Sequence, residues 1–434
     1  MRAVCVSAAL TLALAAGLTG RAGAATANPA VTNTANATAA ASRQTRWKED
    51  LDYFARELPA RHVQFGRIAS REKFEREVGE IERAVPELSD SEIVLRLMRQ
   101  TASLNVAHTR VSWPTGPLAF RQYPLAFYWF SDGLAIAAAT PEHREALGAR
   151  VLRMGAQTPE EVQRAAADFI SHDNEAGLRG ESPIFIRVAE LLQYLKIAEA
   201  DGQLRVQLEK PDGQRLALEV TPAPADTQTN WVQLWDAWSV PRGPSARRAA
   251  AFYWYEVLPD TRALYIQYNC CANAPGNSFA SFARNLFASV DTQAVERVVV
   301  DLRGNGGGDS SVINPLLDGF KSRPALSAKG RLYVLIGRGT CSSGMMAALS
   351  MWHGFRATLV GEPTGGKPNA YGDVRTFSLP NSRLVIRYST KRFQRMTTGD
   401  PPSLDPDVPA PQSLRDCLAG RDPALEAALR HPGN

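Results

Sequence analysis

The chain has 434 residues, 44% of them hydrophobic and 21% charged, with a formal net charge of +5. This is a globular composition with enough apolar mass for a large core, and it excludes fibrous, collagen-like and wholly disordered chains. The basic residues are scattered without a block of like charge, so neither nucleic acid nor an anionic membrane is indicated as a partner.

Met1-Arg2, the apolar run from Ala3 to Leu18 and Ala22-Gly23-Ala24 read as a signal peptide over residues 1–24. Cleavage after Ala24 and export to the periplasm or the extracellular space are the expectation. Loss of Arg2 and Arg21 leaves a net charge of 5 − 2 = +3. After the leader there is no apolar run of about 18 residues, so no membrane span is expected in the mature chain. The Ala/Thr/Asn-rich stretch that follows reads as a flexible tether over 25–44.

From Trp47 to Ser103 apolar residues recur at helical spacing: Leu51, Phe54 and Leu58, then Phe74, Val78 and Ile81, then Ile93, Leu97 and Met98. Ser89-Asp90-Ser91-Glu92 offers an N-cap for the third helix, and Pro86 separates it from the second. These predict a helical N-terminal lobe over 45–118. From Tyr123 the pattern turns to strands. Pro124–Phe130 and Gly133–Ala137 meet at Ser131-Asp132-Gly133, a hairpin signal. Gly148–Gly155 is a further strand, and Thr158-Pro159-Glu160-Glu161 starts a helix. Leu204–Leu208 and Leu216–Val220 flank Pro211-Asp212-Gly213 as a second hairpin. The order of an α+β module over 119–225 resembles a PDZ-like peptide-binding domain, with a long insert from Asp173 to Leu195.

From Phe252 the chain is α/β. Strands are expected at Thr261–Tyr268, Arg297–Asp301, Arg331–Ile336 and Ala357–Val360. Helices are expected at Phe279–Val290, Ser311–Phe320 and Ser342–Trp352. The alternation implies right-handed crossovers and a largely parallel sheet. A later hairpin joins Thr376–Leu379 to Leu384–Tyr388 through Pro380-Asn381-Ser382. After the leader four cysteines remain, Cys270, Cys271, Cys341 and Cys417, too few for a disulfide framework in a chain of this size. Cys270 and Cys271 read as buried strand thiols. CxxC and His-x-x-x-His patterns are absent, so no structural metal is expected, and the chemistry of the strand ends calls for no cofactor.

Chemistry concentrates at three strand ends. Leu302-Arg-Gly-Asn-Gly-Gly-Gly-Asp309 follows the strand ending at Asp301. Its glycines permit a sharp turn whose N–H groups form an anion-binding concavity. It lacks the Gly-Lys-Ser/Thr continuation of a phosphate loop, which argues against nucleotide binding. Gly337-Arg-Gly-Thr-Cys-Ser-Ser-Gly344 opens the next helix and puts Ser342 among unpaired N–H donors. Gly361-Glu-Pro-Thr-Gly-Gly-Lys367 brings a lysine to the same edge. Such carboxyl edges of parallel sheets are where sites form.

These three segments together resemble the carboxy-terminal processing, or tail-specific, serine proteases. The serine-to-lysine spacing is 367 − 342 = 25, and Leu404-Asp-Pro-Asp407-Val408 is similar to the family's closing segment. The resemblance covers about Phe252 to Val408. It implies a crotonase-like (ββα superhelix) catalytic domain over 250–434, Ser342 as nucleophile and Lys367 as base. It also implies an oxyanion hole from backbone N–H groups of Gly306, Gly307 and Ser343. A glutamine common four residues after the lysine is replaced by Tyr371, and a glutamate common three after the serine by Met345. A second branch, similar to the tricorn proteases, uses a histidine base. Asn105-Val-Ala-His108-Thr109 resembles that segment and makes His108 a rival or second base, with Glu362 as a candidate orienting group. The expected protein is an exported serine endopeptidase acting on unfolded protein tails or peptides. The alternative is a non-catalytic peptide or apolar-ligand binder on the same scaffold. Oligomeric state is not legible.

Overall fold

The computed structural model describes residues 29–224, 227, 230–237 and 243–433. The leader expected over 1–24 lies outside them. The first helix runs Pro29–Arg61, so residues 29–44, expected as a tether, continue a helix instead. Ala35, Ala37 and Ala39–Ala41 are strong helix formers, and no glycine or proline interrupts the stretch before Pro59. Trp47, Leu51, Phe54 and Leu58 form its buried stripe. It packs on the helix Arg71–Ala84, which buries Phe74, Val78 and Ile81. The helix Asp90–Ala102 starts at the expected cap. Ser89 accepts from Glu92 N–H while the Glu92 carboxylate accepts from Ser89 N–H, a reciprocal capping box. Among the described residues, no helix is long and apolar enough to cross a membrane.

The middle sheet is antiparallel, in the order Leu125–Phe130, Gly133–Ala139, Arg150–Met154, Leu204–Glu209 and Arg215–Val220. Thr158 caps the helix Pro159–Ala166 in a second capping box. The expected insert folds as helices Glu175–Phe185 and Ala189–Tyr194.

The second large sheet has the order Val408–Pro409, Thr358–Gly361, Leu332–Ile336, Arg297–Asp301, Ala263–Tyr268 and Tyr253–Leu258. All pairings are parallel except the last, which is antiparallel. The continuous apolar runs have a direct cause. Val298, Val300, Leu332 and Val334 face one core, shared with the helices Phe279–Val290 and Ser342–Phe355. Val299, Tyr333 and Leu335 face another, closed by Ala424, Leu425 and Ala428 of the helix Pro423–Arg430. A strand covered on both faces must be apolar at every position. The helix expected at Ser311–Phe320 starts at Asn314, because Pro315 suits the first turn, where no N–H is needed.

The expected late hairpin is longer than its apolar centre, spanning Asn369–Ser378 and Val385–Gln394. Its outer half is charged and shows no alternation that would mark a strand. The hairpin also ties the regions together. Arg110–Val111 pairs with it, and Phe377, Leu379, Leu384 and Ile386 share one core with the N-terminal helices and the middle sheet. At its tip the buried Asp50 carboxylate accepts from Asn381 N–H at 2.7 Å and Ser382 N–H at 2.8 Å. Asp50→Ala would strand both donors, and we expect a loss of about 3 kcal/mol of stability, read as a lower urea midpoint. A change within about 0.5 kcal/mol would contradict this role for Asp50.

Candidate active site

The glycine turn grows out of an anchored strand end. Asp301 is buried and accepts from Tyr265 Oη at 2.7 Å and from Arg303 Nη2 at 2.6 Å. Arg303 also pairs with Asp422 at 2.7 Å. Burial works against the Arg303 charge, but the Asp301 and Asp422 carboxylates outweigh it and hold the guanidinium protonated. Beyond this anchor Asn305 is fully buried and satisfied on every side. Its Nδ2 donates to Tyr268 O at 2.7 Å, its Oδ1 accepts from Gly307 N–H at 2.9 Å, and its backbone O accepts from Cys341 N–H at 3.0 Å. Asn305 therefore joins the glycine turn to the loop before Ser342. Sequence reading missed it, because an asparagine between glycines looks like an ordinary turn residue.

Ser342 opens the helix Ser342–Phe355 with φ of +50°, in the left-handed region. For a non-glycine residue this costs on the order of 1–3 kcal/mol and persists only where the surroundings over-determine it. They do so here. Gly344 N–H and Met345 N–H both donate to Cys341 O, at 2.9 and 3.2 Å, and Thr340 Oγ1 donates to Leu302 O at 2.8 Å. Ser343 Oγ donates to Gly308 O at 2.7 Å and closes the two turns onto each other. A Cβ placed on Gly307 would lie 2.7 Å from Ser342 Cβ, 3.0 Å from Ser343 N and 3.1 Å from Ser342 Oγ. Only glycine allows this approach. Because Gly307 N–H is engaged by Asn305, what Gly307 contributes in this structure is room. Gly306 is exposed on the same turn.

The third strand end closes the other side. A Cβ on Gly366 would lie 2.9 Å from Cys341 Cα, so this loop too packs directly on the backbone before Ser342. Lys367 lines the cleft in front of Ser342, but its Nζ donates to Asp400 Oδ2 at 3.0 Å. That bond holds the Asp400 carboxyl below its usual range. Glu362 pairs with Arg338 at 3.2 Å, and Arg338 also donates to Trp129 O at 2.7 Å, binding this edge to the middle sheet.

His108 reaches the same cleft from the N-terminal lobe. Ser342, His108, Asp173 and Lys367 line it together, with Tyr371 and Phe393 of the hairpin. Asp173 Oδ1 accepts from Ala107 N–H at 2.9 Å, and Ser171 Oγ donates to Thr109 O at 2.9 Å. The next residue, Asn174, caps the helix Glu175–Phe185 and donates to Thr364 O at 3.0 Å. The inserted segment thus clasps the His108 loop with one hand and the Lys367 loop with the other. Burial holds the His108 imidazole below its ordinary value. Asp173 opposes this shift, and Arg110 and Arg387 add to it. His108 Nδ1 is buried without a hydrogen-bond partner. His353 lies exposed at the far end of the Ser342 helix, away from this group.

Residues 317–410 match the model of peptidase family S41. This segment carries the S41 signature. No curated protein sequence matches the chain. Among solved structures, mature CPAF superposes with a TM-score of 0.62 at 11% identity, over 90% of this chain and 99% of that one. Mature CPAF complexed with lactacystin gives 0.60 at 11% identity, over 89% and 97% of the two chains. At that identity the likeness establishes a shared fold across nearly the whole length. The S41 segment holds the Ser342 helix, the Lys367 loop and Asp400. His108 and Asp173 lie outside it, in the part of the chain where only the fold likeness reaches.

Cys341 neighbours Ser342 and is the rival nucleophile by position. Burial pushes its thiol up to about 12, and Glu181 and Asp173 add to the rise. Burial likewise raises the Cys271 thiol to about 11. A thiol this far above neutrality carries little thiolate. Iodoacetamide at about pH 8 should therefore leave Cys341 unmodified in the native protein and alkylate it after unfolding, as mapped by peptide mass spectrometry. Rapid native alkylation would contradict the raised Cys341 value.

Proposed function

We propose that the chain is an exported serine peptidase that hydrolyses peptide bonds in unfolded protein tails or peptides through an acyl-enzyme on Ser342. The observation that carries the reading is the shared cleft, lined both by a serine held in a strained helix-opening turn against Gly307 and by a partly desolvated histidine. The finer architecture we assign is a crotonase-like catalytic domain with a PDZ-like middle module. It rests on the strand–helix alternation from Arg297 to Gly361 and on the two hairpins of the middle sheet. Export rests on the leader pattern ending at Ala24.

In the proposed reaction His108 takes the Ser342 Oγ proton as the oxygen attacks the scissile carbonyl carbon. The carbonyl π pair moves to oxygen, and N–H groups of Ser343 and the Gly306 turn stabilise it. His108 then protonates the departing amine as the C–N bond breaks. Water, deprotonated by His108, attacks the acyl carbon, and as the acyl C–O bond breaks His108 returns that proton to Ser342 Oγ. Asp173 favours the imidazolium that forms in each half. We assign the base to His108 rather than Lys367 because a lysine ammonium paired with Asp400 is already committed as a donor.

Ser342→Ala should cut kcat/KM for peptide cleavage by at least about 10³-fold, and His108→Ala by about 10²–10⁴-fold. Lys367→Ala should cost less than about tenfold. The reverse ranking of the last two would move the base to Lys367, and unchanged cleavage in Ser342→Ala would remove the nucleophile. A second expectation concerns pH. A general base works unprotonated, and the His108 value lies below 6.5, so the acid limb of kcat/KM should have its midpoint below 6.5. The fold follows the same sign. The unfolded chain binds the His108 proton first, so stability falls as pH drops through 6.5 towards the lower folded value. An acid limb centred above 6.5 would contradict this environment for His108.

A further inference from the structure

The helix face that begins at Ser342 continues at Met346, Leu349, Ser350 and His353, and these residues line a groove leading away from the cleft. At 1.5 Å rise per residue, Met346 lies about 6 Å and His353 about 16 Å along the axis from Ser342. Met346 borders both the cleft and the groove, so the two adjoin at its side chain. The facing wall is Ile313 and Leu317, which follow the glycine turn, with Arg395 and Met396 beyond the hairpin. Leu317 and Met346 present partly exposed apolar side chains among Ser311, Asn314, Ser350 and Thr397, and the loops that build the site also build the groove.

The charge in this groove is one-sided. No aspartate or glutamate lines it. Arg395 stands where groove and cleft meet. Its Nη2 lies 3.5 Å from Met346 Sδ, and its guanidinium sits 5.5 Å from the ring centre of Phe393, a cleft residue. Among the described residues no carboxylate pairs with it. Of the acids flanking the facing wall in sequence, Asp309 accepts from Ser311 N–H at 2.8 Å and Ser311 Oγ at 2.7 Å, and Asp318 pairs with Lys321 at 2.9 Å.

The geometry points to a substrate subsite: the groove takes the extended peptide running away from the scissile bond, with an apolar side chain on Leu317 and Met346 and a carboxylate on Arg395. An extended chain rises about 3.3 Å per residue, so the groove accommodates roughly two to five residues beyond the reacting bond. The carboxylate is supplied either by the chain terminus or by an aspartate or glutamate, and the recognition chemistry is the same. This deepens the peptidase reading and rests on it for what the groove is used for.

The test is an anisotropy titration on the full chain carrying Ser342→Ala, which separates binding from turnover. Four fluorescent peptides share one apolar sequence: a free carboxyl terminus, the same peptide amidated, and amidated versions with glutamate or glutamine at the matching position. At least one carboxylate peptide should bind about tenfold tighter than its neutral partner. Adding Arg395→Gln should bring that ratio to within about twofold of one. Lys391→Gln, which removes an exposed cation stacked 5.0 Å from the same Phe393 ring, should leave the ratio intact. Preference for the free terminus assigns the chain end as the source, and preference for glutamate assigns an acidic side chain. An equal ratio before and after Arg395→Gln, or an equal loss with Lys391→Gln, overturns the subsite. Carboxylate-selective binding without cleavage by the wild-type chain would instead sink the peptidase reading and leave the subsite standing.

Discussion

The arrangement depends on one close approach, the backbone of Gly307 against the first residue of the Ser342 helix. Adjacent parallel strands deliver both segments to the same sheet edge, since Asp301 pairs with Leu335 one residue before that strand ends. Sheet geometry alone brings the two turns near each other without locking them. The lock is Asn305, whose side chain fixes the glycine turn and whose backbone oxygen holds Cys341. The strain in Ser342 is stored between these contacts. A side chain at 307 or a shorter polar group at 305 would release it, and the serine hydroxyl would lose its aim.

The proposed site is composite, and this explains the interlocked fold. The S41 segment supplies the serine and the lysine loop. The N-terminal lobe supplies His108, and the middle module supplies Asp173. Contacts between the regions bring these groups to one cleft. Asp173 is held to the His108 loop by Ala107 N–H, and Asn174 beside it reaches Thr364 across the molecule. The long hairpin completes the clasp by joining the core of the two N-terminal regions while lining the cleft with Tyr371 and Phe393. Loosening any of these contacts would separate the hydroxyl from the imidazole without touching either.

What the sequence revealed follows the range of the interaction. Caps at Ser89 and Thr158 are local hydrogen-bond patterns, and both were legible. The strands Arg297–Asp301 and Leu332–Ile336 declared themselves because burial on two faces leaves no room for polar residues. Three glycine-rich loops on successive strand ends marked the candidate site, with Ser342, Lys367 and His108 all lining one cleft. The features that escaped depend on distant partners. The Lys367 ammonium meets Asp400, 33 residues on, and Ala107 meets Asp173 at a separation of 66. No periodicity records such pairings. The strand Tyr253–Leu258 and the outer half of the hairpin were missed because their charged and aromatic residues follow no clean alternation. The Ala-rich start of the first helix was read from polarity when helix propensity governed it.

The central claim is that Ser342 is an activated hydroxyl in an assembled pocket. A fluorophosphonate, which forms a stable bond only with an activated serine oxygen, tests it without knowledge of the substrate. The full chain should gain one phosphonyl group by intact mass, and peptide mapping should place it on Ser342. Adduct formation on a different residue, or none under conditions that label other serine peptidases, would contradict the account.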